Sequence, residues 1–263
     1  MKKAFFSIAV IALAILAGCE KKSHQSEYSD KSKENSASAP PSPPPKPPYS
    51  DKDWRRDFSS AFEASRVESD GDGVSSYKAC FDIDGDKCKL SMSGKRDGFR
   101  KVDHLISAMT AFQEYYVKYG HKGKTAAFVD LRVVARQCDQ AVVVINPTIN
   151  AKKWLFMDKV GFMADGEVVY EQVADYQAVK RNIEDGRVWE SWSFKLKTED
   201  YEKILHFSSA KVKVIRLSGE KGYFTIDNDS VDIFAKDVQE NIRAATIINN
   251  ALVKGGGPFC ASL

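Results

Sequence analysis

The 263-residue chain has few of the residues on which reactive sites are built. Its four histidines, His24, His104, His121 and His206, fall in neither His-x-His nor His-Glu-x-x-His spacing, so a metal hydrolase has little to start from. There is no Gly-x-Ser-x-Gly elbow, no Walker-type loop and no Gly-x-Gly-x-x-Gly, which removes the usual parts of nucleophilic and nucleotide chemistry. No Cys-x-x-Cys occurs, so neither a zinc knuckle nor a thioredoxin-type redox motif is offered. Charge of one sign is also scarce. The formal +3 arises in residues 1–50, and from 51 to 263 there are 32 basic against 32 acidic residues. Without a net field to gather phosphates, nucleic acid is not an expected partner.

What is present is concentrated at the start. Met1-Lys2-Lys3 precedes an apolar run from Ala4 to Leu16, too short to span a hydrocarbon core of about 30 Å and arranged as a secretory signal. The run ends in Leu16-Ala17-Gly18-Cys19, which resembles the lipobox of bacterial lipoproteins. The resemblance implies cleavage after residue 18 and acylation of Cys19, giving an anchor in the lipid bilayer. Glu20, where Asp would direct inner-membrane retention, implies the periplasmic face of the outer membrane. Two or three acyl chains, at about 0.8 kcal/mol per buried CH₂, hold firmly.

Residues 19–50 read as a lipidated, disordered tether. Seven of the nine prolines lie between Pro40 and Pro48, a polyproline II spacer that rises about 3.1 Å per residue. It would carry the body some tens of ångströms from the membrane, within reach of a periplasmic or cell-wall partner.

Cys80, Cys88, Cys138 and Cys260 remain, an even number in an oxidising compartment, and read as two disulfides. Three pairings are open. Cys80 and Cys88 flank the turn-forming Asp82-Ile83-Asp84-Gly85-Asp86 and can meet across a hairpin, which leaves Cys138 with Cys260.

The most pointed local motif is Glu68-Ser69-Asp70-Gly71-Asp72-Gly73-Val74-Ser75-Ser76. Glu68, Asp70, Asp72, Val74 and Ser76 occupy the first, third, fifth, seventh and ninth places of a calcium loop, with Gly73 at the sharp sixth. Ala79 stands where the closing carboxylate belongs. The stretch resembles one thrombospondin type 3 calcium repeat over about 20 residues, without the tandem array of that family. A solvated turn is the competing reading.

Trp54, Phe58, Ala61, Phe62 and Ser65 predict a helix from Asp53 to Arg66, and Val102, Leu105, Met109, Phe112, Tyr116 and Tyr119 predict a second. The stretch 51–122 thus reads as a helical and acidic-loop subdomain of the 51–263 globular domain. Strands are expected at 127–134, at 141–145 ended by Asn146-Pro147, at 153–163 and 167–173 about Asp165-Gly166, at 187–196, 211–217 and 223–226. Thr198 is expected to cap a short helix. Val231, Phe234, Val238, Ile242, Ala245, Ile248 and Leu252 mark a long C-terminal helix closed by Gly255-Gly256-Gly257-Pro258. The expected class is α+β, an antiparallel β-meander sheet packed by that helix, with N-terminal helices.

The aromatic segment Lys152–Val169, with Trp189 and Trp192, reads as core, as do Tyr115, Tyr116 and Tyr119. Lys211, Lys213, Arg216 and Lys221 read as a solvated basic strip. The functional expectation is a non-catalytic domain that binds another envelope component, most plausibly a protein, such as a cell-wall hydrolase it inhibits. The alternative is a cell-wall-active glycosidase using paired carboxylates, for which Asp70, Asp72, Asp82, Asp84 and Asp86 are available.

Overall fold

The structure, a computed structural model, describes residues 49–107, 124–227, 229–256 and 260. The signal peptide, Cys19, the tether through residue 48, His24, His121, Met109, Phe112 and the three tyrosines at 115, 116 and 119 lie outside the described residues.

Ser50 opens helix α1 (Asp51–Ser60) with a reciprocal capping box: its hydroxyl accepts from the Asp53 N–H while its own N–H donates to the Asp53 carboxylate at 3.0 Å. The helix is shorter than its periodicity predicts. Phe62 leaves the helical face to join Phe58, Tyr77 and Phe81 in an aromatic cluster, with centroids 5.2–5.9 Å apart, and the chain extends from there.

Strands β1 (Glu63–Gly71), β2 (Val74–Ile83), β3 (Asp86–Asp97), β4 (Val102–Ser107), β5 (Ala126–Arg136) and β6 (Ala141–Ala151) follow as an antiparallel meander. After β7 (Met157–Ala164) and β8 (Glu167–Val173), strands β9 (Lys180–Glu184) and β10 (Arg187–Ser191) return to this sheet, and β11 (Phe194–Leu196) pairs with β6. Helix α2 (Tyr201–Ser209) precedes β12 (Lys213–Gly219) and β13 (Gly222–Ile226). These last two strands complete a second antiparallel sheet, ordered β13-β12-β7-β8. The long helix α3 (Asp229–Lys254) ends the described chain apart from Gly255, Gly256 and Cys260.

Residues 51–107 are therefore not a helical subdomain. Positions 102–107 form β4, because Asp103, Leu105 and Ser107 alternate onto the buried face, and β4 pairs directly with β5. The polar Asp103 and Ser107 hide this alternation in the sequence. Asp103, fully buried, accepts from Tyr77 Oη at 2.9 Å, Arg55 at 2.8 Å and Arg96 at 2.9 Å, fastening α1 to the sheet.

Strand β6 runs through Pro147 rather than ending before it. The Pro147 carbonyl accepts from Trp192 N–H, so its nitrogen also faces the gap between β10 and β11, where a ladder hydrogen bond is already missing. The same gap breaks the expected 187–196 strand in two. Thr198 makes no side-chain cap; a 3₁₀ turn at Thr198–Asp200 leads into α2.

Four hairpins turn on Asp-Gly pairs: Asp72-Gly73, Asp84-Gly85, Asp165-Gly166 and Asp185-Gly186, all eight residues at φ between 48° and 95°. This is the two-residue type I′ connection, whose twist matches that of the strands it joins. Asp82 accepts from the Cys88 N–H at 2.8 Å beside the Cys80–Cys88 disulfide. The second disulfide joins Cys138, in the β5–β6 turn, to Cys260.

Both sheets and the three described helices contribute to one core. The seven apolar positions expected on α3 are buried, and that helix packs against β4, β5, β6 and β12 as well as α1 and α2. Phe234 stacks on Phe162 at 5.4 Å, and both meet Phe207 edge-on at 5.9 and 5.3 Å. Among the described residues no helix is long and apolar enough to cross a membrane.

The corner between the sheets is held by Glu190. Its fully buried carboxylate accepts from the backbone N–H groups of Leu155, Phe156 and Met157 at 2.6, 3.1 and 2.7 Å. The carbonyls of Leu155 and Phe156 in turn accept from Lys221 and Glu220 N–H. A β-carbon on Gly219 would come within 2.5 Å of both carbonyls, so only glycine fits there. Glu190→Gln weakens three charge-assisted bonds at a buried site, and a loss of about 2–4 kcal/mol is expected in urea unfolding. The exposed Glu199→Gln serves as the control. Equal stability of the two variants would show that this corner does not depend on the carboxylate.

Candidate functional site

On the face of the large sheet turned away from the main core, Ala126, Phe128, Thr148 and Asn150 are buried, whereas the stretch about Lys78, Ser93 and Ile106 is open. On β2 to β5 the residues Tyr77, Ala79, Leu90, Met92, Leu105, Leu131 and Val133 point into the core. Their neighbours in sequence point the other way and line an open cavity of about 860 Å³. Ser76 and Lys78 come from β2, Ser91, Ser93 and Lys95 from β3, His104 and Ile106 from β4, and Arg132 from β5.

A bulge in β1 supplies the rim. The register slips between Ser65 and Glu68, and Arg66 there holds φ 51°, a left-handed conformation costly for a side-chain-bearing residue. Both Arg66 and Glu68 line the cavity.

Lys95 is paired with Asp70 at 3.3 Å, and the Ser76 hydroxyl donates to the same carboxylate at 2.7 Å. The Ser76 bond, with Lys95 adding to it, holds the Asp70 carboxyl below the usual range. Arg66, Lys78 and Arg132 have no ion-pair partner among the described residues. The Nε of Arg132 is shielded from solvent and makes no hydrogen bond among them. His104, half-buried, is pushed below the ordinary histidine range by burial and then by Arg132, so near neutral pH it offers a neutral ring beside a cation. With hydroxyls from Ser91 and Ser93 alongside, the arrangement can receive anionic oxygen.

The expected calcium residues fall on the β1–β2 hairpin. Glu68 and Ser76 are register partners, Gly71 pairs with Val74, and Asp72 sits at the turn corner at φ 48°. Ala79 lies in the core. Asp84 is paired with Arg243 at 2.8 Å and Asp86 with Lys89 at 2.7 Å. Among the described residues one group of acidic, histidine or cysteine ligand atoms comes within metal-binding distance, Asp51 with Cys138 and Cys260, and both sulfurs there belong to the disulfide.

In the basic strip, Lys213 pairs with Asp232 at 3.1 Å and Arg216 lies over the Tyr223 ring at 4.8 Å. Of the aromatic segment, Leu155, Met157, Val160, Phe162 and Trp192 are buried, whereas Trp154 lines a smaller cavity of about 300 Å³ with Tyr223 and Phe224. A third groove of about 470 Å³ has Glu171 and Asp200 on its walls, each already paired, with Lys159 at 3.1 Å and Lys203 at 2.6 Å.

Reasoning from sequence alone passed over Arg66, Lys78, Lys95 and Arg132, and met His104 only as a histidine without a motif. The available signal was alternation: the non-core positions of β2, β3, β4 and β5 carry a basic side chain each.

No family model matches the sequence, and no curated protein matches it. Among solved structures, the crystal structure of MHC-like MILL2 is similar over 59% of this chain and 67% of that one, at 8% identity and a TM-score of 0.23. A likeness at that level carries no functional argument.

The depressed His104 gives a pH dependence with a definite sign. Its folded value lies below its unfolded one, so its contribution to stability is complete above the unfolded pKa and is lost as pH falls through the folded one. Thermal melts of the unliganded protein should therefore show the wild type losing more stability than His104→Gln between about pH 7.5 and 5.5, a window centred on histidine's ordinary pKa of about 6.5. Parallel pH profiles would remove histidine from the balance.

Proposed function

We propose that the protein is a lipoprotein anchored through acylated Cys19 to the periplasmic face of the outer membrane. A proline-rich tether carries a non-catalytic domain that binds another envelope component through the outer face of its large sheet. A protein partner fits best, and inhibition of a cell-wall hydrolase is the concrete version.

The observation that carries this reading is the cavity on that face. Arg66, Lys78 and Arg132 converge there without ion-pair partners among the described residues, in a body whose charges otherwise balance. Local charge that the fold does not consume is available to a ligand.

The glycosidase alternative needs two carboxylates in one cleft. Glu68 is the one carboxylate among the described residues lining the large cavity, and Glu171 with Asp200 in the smaller groove are both ion-paired. These features favour binding over hydrolysis. Release of soluble fragments from purified peptidoglycan would reverse that preference.

Two measurements test the proposal. Mass spectrometry of the mature N-terminus should find acyl groups on Cys19, and Cys19→Ser should move the protein into the soluble fraction. A free, unacylated N-terminus on the mature chain would refute the anchor. Crosslinking in whole envelopes should yield an enriched protein that the double variant Lys78→Glu with Arg132→Glu loses and Lys211→Glu retains. Equal yields from all three would place the binding surface elsewhere.

A further inference from the structure

We infer, resting on the binding role just proposed, that the partner presents an acidic, extended segment laid across the strands of the cavity. The side chains there form a row, one per strand over five successive strands: Arg66, Lys78 and Arg132 as open cations, Lys95 shared with Asp70, and His104 as a neutral ring that can still donate a hydrogen bond. Register makes them neighbours. Lys95 is directly opposite His104, Ser76 is opposite Lys95, and Lys78 is opposite Ser93, one diagonal step from Lys95.

At about 4.8 Å between strands, four gaps give a row of roughly 19 Å. An extended peptide repeats same-side residues every ~6.7 Å, so three or four carboxylates fit along it. A single phosphate would engage only one or two members. The two arginines suit carboxylates in particular, because a guanidinium donates to both oxygens at once. Glu68, at the β1 end, repels an acidic run that continues past the row and so limits its length.

Nucleic acid fits less well. The 32-to-32 charge balance of residues 51–263 provides no long-range attraction, and Tyr77, the one aromatic among the lining residues described, is buried rather than offered for base stacking.

The test is fluorescence anisotropy on the full mature chain with a labelled ten-residue peptide alternating Glu and Ala. A Gln-Ala peptide, inorganic phosphate and a ten-nucleotide DNA strand serve as comparisons. The Glu-Ala peptide should bind and the Gln-Ala peptide should not, with affinity falling as salt rises from about 50 to about 200 mM, over which the Debye length roughly halves. Lys78→Ala and Arg132→Ala should each weaken binding by about five-fold, the upper end for a screened charge pair, while Lys211→Ala changes nothing. Arg66→Ala, on the exposed bulge, carries the same expectation should the Arg132 variant fail to fold.

Phosphate that competes at the peptide's own concentration, or DNA that binds more tightly than the peptide, would overturn the inference. A peptide that fails to bind, while envelope crosslinking still depends on Lys78 and Arg132, overturns the acidic segment and leaves the binding role intact. Failure of both experiments overturns both.

Discussion

A buried carboxylate with three backbone donors is a demanding arrangement, and the two-sheet body depends on one. Glu190 sits on β10 in the large sheet, yet the N–H groups it satisfies belong to Leu155, Phe156 and Met157, where the chain enters the small sheet. A charge taken fully out of water is tolerated only when its oxygens are this well supplied. The loop cannot slide, because its carbonyls are held from the opposite side by the β12–β13 turn, and Gly219 lets that turn come close enough. The angle between the sheets is thereby set, and with it the wedge into which α3 fits its apolar face.

Asp103, on β4, does the equivalent in the middle of the large sheet. Two arginines and a tyrosine hydroxyl converge on it from α1, β3 and β2. Both carboxylates lie on the core side, so the ladder of strands between them is fixed from within. The open part of the outer face, about Lys78, Ser93 and Ile106, is left free to vary its side chains without disturbing the fold, which is the condition a sheet must meet to carry a binding surface.

Much of this was legible where the signal is local. The α3 periodicity, the Asp165-Gly166 hairpin, the Cys80–Cys88 span and the class of fold each depend on residues close in sequence, and each is present in the structure. The errors share a cause: a tertiary partner outbid a local pattern. Val102 and Leu105 are three apart as in a helix, but the buried Asp103 and Ser107 find partners in Arg55, Arg96 and Asp237, and the segment extends. Pro147 would stop a strand flanked by two continuous neighbours, and is accommodated because β10 and β11 part beside it. The basic row had no local signature at all. Its five members span 67 positions from Arg66 to Arg132 and become neighbours only through the registers of four strand pairs.

The charge balance of the folded part takes on a different meaning once burial is known. Thirty-two acids offset thirty-two bases in residues 51–263, which by itself suggests a surface without preference. Yet Asp57, Asp103, Glu190, Asp200 and Asp237 are all buried, and no lysine or arginine is buried among the described residues. Acids are spent inside, where short carboxylates can be enclosed by backbone and hydroxyl donors, whereas long basic side chains reach solvent. Four of the five hold basic partners, Asp57 with Arg56, Asp103 with Arg55 and Arg96, Glu190 with Arg181 and Asp200 with Lys203. Basic charge left without an acid among the described residues meets in the cavity across β1 to β5, where Arg66, Lys78 and Arg132 converge and the bulge at Arg66 turns one more guanidinium inward than a regular strand would. A chain can thus be neutral overall, exert little attraction at a distance, and still present a directional strip of positive charge at contact range.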